Sequence, residues 1–150
     1  EKQKVRDTFV LSEKQFRNYY QHALKSRGAT GETILRFLES RFDNSLYRAG
    51  FAVTRLQARQ MAGHGMFLVN GRRCNVPSRP MKAGDVIEIR PRSAASPMFA
   101  ANLAASEKFM PPAWLRVDAG KLRIEIASVP APEHFEQGLD IQKVVELYSR

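Results

Sequence analysis

The stretch ARQMAGHGMFLVNGRR, residues 58–73, changes periodicity part-way and so dictates what the fold around it must contain. RLQARQMA, residues 55–62, reads as a short helix opened by a Thr54/Gln57 capping box and closed at Gly63. MFLV and RRCNV then flank Asn70-Gly71, the two-residue turn whose positive φ angles match the twist of paired strands. A helix, a glycine corner at Gly63 and Gly65, and a tight antiparallel hairpin are therefore expected in succession. A hairpin alone is marginal in water, so further strands must join it.

The remainder of the chain supplies them. Lys82-Ala83-Gly84-Asp85 is a turn into VIEIR, and WLRVD and KLRIEI read as two more strands around an Ala-Gly turn. Between these, the Ala- and Ser-rich residues 93–110 are expected as a loop with one weak helix. Upstream, Ser12 and Gln15 form a capping box for a helix carrying Phe16, Tyr19, Tyr20, Ala23 and Leu24. From Thr30, apolar residues recur at helical spacing through Ile34, Leu35, Leu38, Phe42, Leu46 and Ala49, which predicts one continuous helix ending at Gly50. After the Pro-rich SVPAPEHFEQG, Asp140 caps a last helix striped with Ile141, Val144, Val145 and Tyr148.

The fold class expected is α+β. Residues 1–40 plus 138–150 form a discontinuous helical lobe, because the closing stripe needs the N-terminal helices to bury it. Residues 41–128 form an inserted lobe of two helices and a small, mainly antiparallel sheet, and residues 129–137 are a linker. The chain begins at Glu1 rather than Met, so residues upstream are expected in the full protein.

Charge directs the functional reading. Of 24 Lys/Arg and 15 Asp/Glu, 18 basic but only 8 acidic residues fall within positions 1–92. Between Asn44 and Gly84 there is no acid, but seven basic residues: Arg48, Arg55, Arg59, Arg72, Arg73, Arg79 and Lys82. Such a one-sign window recruits polyanions, and six arginines favour planar, multi-donor contacts with phosphate and base edges. On the expected long helix Arg41, Asn44 and Arg48 share a face, and on the next Arg55 and Arg59 are four apart. The helix start at Thr54 and Arg55 offers backbone N–H groups to phosphate. Arg72 and Arg73 leave the hairpin on opposite faces. Tyr47 stands between a base-stacking and a packing role, whereas Phe42, Phe51, Phe67 and Trp114 are expected in the core.

Catalytic arrangements are missing. Gly63-His64-Gly65 follows a helix and has Leu68 where a dinucleotide loop needs its third glycine. There is no G-x-S-x-G elbow, and the single Cys74 with His22, His64 and His134 gives no metal-ligand spacing. One cysteine also excludes an internal disulfide and is consistent with a reducing compartment. His64 is left either touching phosphate or packing the joint between helix and hairpin.

The motif R-F-D-N-x3-R-x-G-F-x2-T-R-x2-A-R-Q-x3-H-G-x3-V-N-G, Arg41 to Gly71, continues as P-S-R-P-x3-G-D-x-I-x-I-R to Arg90. It resembles the RNA-binding module of small-subunit ribosomal protein S-four, shared with several RNA-modifying enzymes. S-E-K-Q-F-R, G-E-T-I-L-R-F-L-E-S-R, W-L-R-V-D and V-V-E-L-Y-S-R extend the resemblance to the bacterial or organellar ribosomal family itself, over essentially the whole chain. Phe42 stands where that family usually has leucine. Residues 93–106 are more neutral than in relatives, so no RNA contact is assigned to them.

The resemblance implies a non-enzymatic, primary binder of small-subunit ribosomal RNA that nucleates assembly at a multi-helix junction. It implies a place near the mRNA entry path, contact with a neighbouring small-subunit protein, no small-molecule cofactor, and a cytoplasmic or organellar, ribosome-bound location. An N-terminal arm that carries a zinc site in some members would precede residue 1. The RNA-facing residues it implies are Arg41, Asn44, Arg48, Arg55, Arg59, Gln60, His64, Asn70, Arg72 and Arg73. To these the basic window adds Tyr47, Thr54, Arg79 and Lys82. The alternative is an accessory RNA-binding module of an RNA-modifying or stalled-ribosome-recognition protein. A pseudouridine synthase would need a separate catalytic domain with an active-site aspartate, for which these residues leave no room.

Overall fold

The computed structural model describes residues 2–105, 110–136 and 138–149. Residues 106–109 of the Ala-rich stretch and Gln137 of the expected linker lie outside the described residues. The chain forms two compact units, one from residues 1–39 and 130–150 and the other from residues 40–129.

The first unit is helical. Its elements are α1 (Lys2–Phe9), α2 (Glu13–Leu24), α3 (Thr30–Glu39) and α7 (Ile141–Ser149). The Ser12/Gln15 box is complete: Ser12 Oγ accepts from the Gln15 N–H at 3.2 Å, and Gln15 Oε1 accepts from the Ser12 N–H at 2.9 Å. Helix α1 was not anticipated, since its sequence has no cap and only Val5 and Phe9 on its apolar side, both buried. The core joins these two to Leu11, Phe16, Tyr20, Ile34, Leu38 and Val144. The expected linker also contributes to it. A 3-10 turn at Pro132–His134 delivers Phe135 into the same core, and the buried Glu39 carboxylate accepts the Glu136 N–H at 2.7 Å. Where Gly31 faces α7, an added Cβ would lie 3.0 Å from the Ile141 side chain, so glycine lets the two helices pack closely here.

The second unit holds α4 (Phe42–Arg48), α5 (Arg55–Gly63) and α6 (Pro97–Ala105) with five strands. These are β1 (Phe67–Val69), β2 (Arg72–Arg73), β3 (Val86–Ile89), β4 (Leu115–Asp118) and β5 (Arg123–Ile126). They pair antiparallel throughout in the order β2-β1-β3-β5-β4. This is the expected α+β class. Phe42, Leu46, Phe51, Phe67, Ile87, Phe99, Trp114 and Ile124 form its core, with Phe67 stacked on Phe51 and edge-on to Phe99. Asn102 is buried in α6 and donates to the Phe51 carbonyl at 2.9 Å, tying α6 to the segment between α4 and α5.

The single long helix expected from Thr30 to Ala49 is in fact two, broken at Ser40-Arg41. Arg41 is extended (φ −66°, ψ 145°) and bridges to Pro80. The N–H groups of Phe42 and Asp43 donate to the carbonyls of Arg79 and Pro77, and Met81 donates back to Ser40. Backbone groups that would extend a helix are thus spent on pairing with residues 77–81, a long-range demand that apolar periodicity cannot register.

Candidate nucleic-acid interface

Two helix ends and a hairpin set the framework of the basic window. Helix α4 closes with Gly50 left-handed (φ +86°), its N–H donating to Tyr47 while Phe51 donates to Leu46. Helix α5 repeats the device: Gly65 N–H donates to Ala62 and Met66 N–H to Met61, with Gly65 at φ +68°. The left-handed terminator is therefore Gly65, not Gly63, which lies inside the helix. Thr54 Oγ1 caps α5 by accepting the Gln57 N–H at 3.0 Å. The reciprocal half of the expected box is shifted by one residue, since Gln57 Oε1 takes the Val53 N–H.

At the hairpin, Asn70 (φ +51°) and Gly71 (φ +81°) make the turn, and Val69 pairs with Arg72 and Leu68 with Arg73. Both arginines are exposed on this two-residue strand. Arg73 folds back over the α5–β1 corner, where a Cβ on Gly65 would come within 2.5 Å of its Nε. The corner thus has a guanidinium as its lid.

The predicted site residues divide into three groups. Gln60, His64 and Lys82 join Arg72 and Arg73 as exposed side chains, and Arg59 and Arg79 are half-buried. The pairing of residues 77–81 with the start of α4 brings the Arg79 loop to that helix end, a juxtaposition not visible in the sequence. A second group is partly engaged. Arg48 lies over the Trp114 ring at 5.3 Å, and Arg55 lies over the Tyr47 ring at 4.5 Å. Thr54 is exposed while serving as the α5 cap.

The third group is engaged in the fold, and the helix face expected to include Arg41 does not form. Arg41, only 2% exposed, does not share a helix face with Asn44 and Arg48; its Nε and Nη2 each donate to Asp43 at 3.0 Å. A guanidinium closed this way by a carboxylate inside the protein is part of the fold's interior. Asn44 is 1% exposed, and its Oδ1 accepts the Arg55 Nε–H at 2.9 Å. Asn70 is exposed, and its amide also ties the hairpin down: Nδ2 donates to Asp85 Oδ1 and Oδ1 accepts the Val86 N–H, both at 2.9 Å. Asp85 Oδ2 also accepts the Lys82 N–H, so this clip fixes the hairpin against the turn before β3. A short amide beside a Gly-Asp turn was the available signal, but the turn chemistry masks it.

The arrangement offers guanidinium groups from α4, α5, the hairpin and the 77–82 loop of one compact unit. It suits extended anionic ligands. No helix among the described residues is long and apolar enough to cross a membrane.

Comparison with known proteins agrees with this geometry. Residues 40–87 match the family described as the S4 domain, and residues 1–39 the family described as the ribosomal protein S4/S9 N-terminal domain. The chain is 44% identical over 150 residues to small ribosomal subunit protein uS4 of Solidesulfovibrio magneticus, covering 100% of this chain and 72% of the relative. It is 46% identical over 151 residues to uS4 of Acidothermus cellulolyticus, with the same coverage. With uS4 of Persephonella marina it shares 43% over 150 residues, 99% of this chain and 73% of the relative. With S4-type domains matched along residues 1–87 and such relatives aligned over its whole length, the chain belongs to the uS4 family of small ribosomal subunit proteins.

Proposed function

We propose that this protein is a structural, non-catalytic constituent of the small ribosomal subunit that binds its 16S-type ribosomal RNA directly. The observation that carries the reading is the acid-free window from Asn44 to Gly84, folded into one unit in which Arg72, Arg73 and Lys82 are exposed and Arg59 is half-buried. Acid-free basic surfaces repel themselves, and neutralisation by phosphate relieves that cost while releasing counterions from the RNA. The names carried by the uS4 relatives support the small subunit as the setting.

At finer grain, the protein binds early, nucleates assembly at a multi-helix RNA junction, touches a neighbouring small-subunit protein and lies near the mRNA entry path. These statements rest on the family resemblance of the Arg41–Arg90 motif together with its flanking segments.

The test is filter binding to a small-subunit RNA fragment. Arg59→Ala is expected to weaken binding about tenfold, the loss of roughly 1.5 kcal/mol for one charged hydrogen bond. Lys121→Ala, an exposed cation in the same unit but outside the window, should leave affinity within twofold. Equal losses would count against the proposed face.

A further inference from the structure

Glycine is a poor residue for a helix, because it loses more backbone freedom on folding than any other and has no side chain to pack. A left-handed φ or a crowding neighbour can require it all the same. Six of the nine glycines here are left-handed, and at Gly31 and Gly120 a Cβ would stand within 4 Å of another side chain. Gly63 has neither reason. It is the last residue of α5, its φ is not left-handed, and it is exposed. Among the described residues, a Cβ built on it meets no atom within 4 Å. The fold would accept alanine here and gain helix propensity from it.

The reason for this glycine therefore lies outside the chain, on the surface that α5 presents. Leu56, Gln60 and Gly63 are spaced four and three apart, so they share one face of the helix, and all three are exposed. Leu56 is 53% exposed, and Val53, just before the helix, 48%. None of these residues is charged, although the window around them holds seven cations and no acid. Cations stand at the margins instead. Arg59 precedes Gln60 on the adjoining face, and Arg73 lies across the Gly65 corner at the helix end. An anionic ligand drawn in by the arginines meets a neutral ridge whose last turn carries no side chain, where a second backbone can come closest.

We propose that this uncharged face of α5 seats the RNA sugar-phosphate chain, with Gly63 giving room for a ribose to lie against the helix and Leu56 packing on the neighbouring sugar. The proposal rests on the RNA-binding reading above and goes beyond it, since Leu56 and Gly63 fill unspecified positions of the Arg41–Gly71 motif. Charge favours RNA over a protein as the occupant, because the same unit exposes Arg72, Arg73 and Lys82 within its acid-free window. The cations hold phosphates, and the neutral ridge sets how closely the strand lies.

The experiment pairs thermal melting of the full chain with filter binding to a small-subunit RNA fragment at several salt concentrations. Gly63→Ala is expected to raise the melting midpoint by about 1–3 °C, the propensity gain of one residue. It should at the same time weaken binding about threefold, and Gly63→Leu about tenfold, as overfilling a close contact does. Leu56→Ala should cost about threefold, the loss of a partly covered aliphatic side chain. All three changes are neutral, so the log–log salt slope should stay within about 0.3 of that of the unaltered chain. Gly120→Ala, at an exposed glycine of the same unit outside the window, should change affinity by less than about 1.5-fold.

A midpoint that rises while affinity falls is a pair of signs that a purely structural role for Gly63 does not give. If Gly63→Leu melts early, Gly63→Ala decides alone. Unchanged RNA affinity of the Gly63 variants, whether the face is free or turned to a protein, would overturn the proposal and leave the RNA-binding reading in place. A loss accompanied by a shallower slope would overturn it too, because that is the mark of a displaced arginine. Failure of the unaltered chain to bind RNA would overturn both.

Discussion

In the helical unit, Lys2, Arg6 and Arg17 all approach one carboxylate, Glu13, at 3.4, 2.9 and 3.8 Å. The second unit carries its basic residues through 41 consecutive positions, 44 to 84, without an acid. Its buried arginine, Arg41, has a carboxylate of its own just before that window begins. One unit uses opposite charge to close its helices together; the other carries its arginines through a run of sequence that has no acid. Lys2, Arg6, Arg17 and Arg41 each approach a carboxylate of their own unit, whereas Arg72 and Arg73 stand exposed on a two-residue strand.

The Glu13 knot shows what closure does. Tyr148 of α7 stacks against Phe16 and Tyr20 and donates its hydroxyl to Glu13 Oε1 at 2.8 Å. Burial, then the bond to Glu13, pushes the Tyr148 pKa up to about 12. The Tyr148 hydrogen bond, then Lys2 and Arg6, hold the Glu13 carboxyl below its usual value against the opposing effect of burial.

The comparison can be broken first at Asp43. Asp43→Asn removes a carboxylate from the buried Arg41 charge and should cost about 3–5 kcal/mol of unfolding free energy by urea titration. A loss under about 1 kcal/mol, the range of an exposed pair, would erase the distinction between Arg41 and a surface arginine. Next, Gly65→Ala forces a side chain into the left-handed region and into the Arg73 guanidinium. It should cost about 1–2 kcal/mol by thermal melting, with a parallel fall in RNA affinity as Arg73 is displaced. Unchanged affinity in a destabilised variant would remove Arg73 from the interface.

A smaller effect is expected from pH in the helical unit. Because the folded Glu13 pKa is lowered, its contribution is present above the ordinary carboxylate range and is lost as pH falls through the folded value. Because the folded Tyr148 pKa is raised, its contribution is complete below about pH 10 and is lost as pH rises towards about 12. Melting profiles of Tyr148→Phe should lack the alkaline phase, and those of Glu13→Gln should lose part of the acid phase. An alkaline phase that persists in Tyr148→Phe would assign it elsewhere.

Local chemistry was the legible part of this fold. Ser12 with Gln15, Asn70-Gly71, and the alternating runs that became β3, β4 and β5 declare themselves because their partners lie within a few residues. The Ser40-Arg41 break was hidden, since Ile34 through Ala49 keep helical spacing across it and the cause lies about 40 residues away at Pro77–Met81. The basic window was equally plain as a count, but not the role of each member. A formal charge reads the same whether it is buried against Asp43, as for Arg41, or exposed on the hairpin, as for Arg72. Asn70 carries a second role that the sequence did not declare, because its amide completes the hairpin clip.

The central claim is that the acid-free window meets RNA phosphates, and the salt dependence of binding tests it most directly. Affinity for a small-subunit RNA fragment should fall with a log–log slope steeper than about −3, as four or more contacts of roughly 0.7–0.9 each produce. Replacing Arg59, Arg72 and Arg73 together by alanine should make that slope shallower by about 2. A slope near zero, or one that the triple replacement leaves unchanged, would contradict the account.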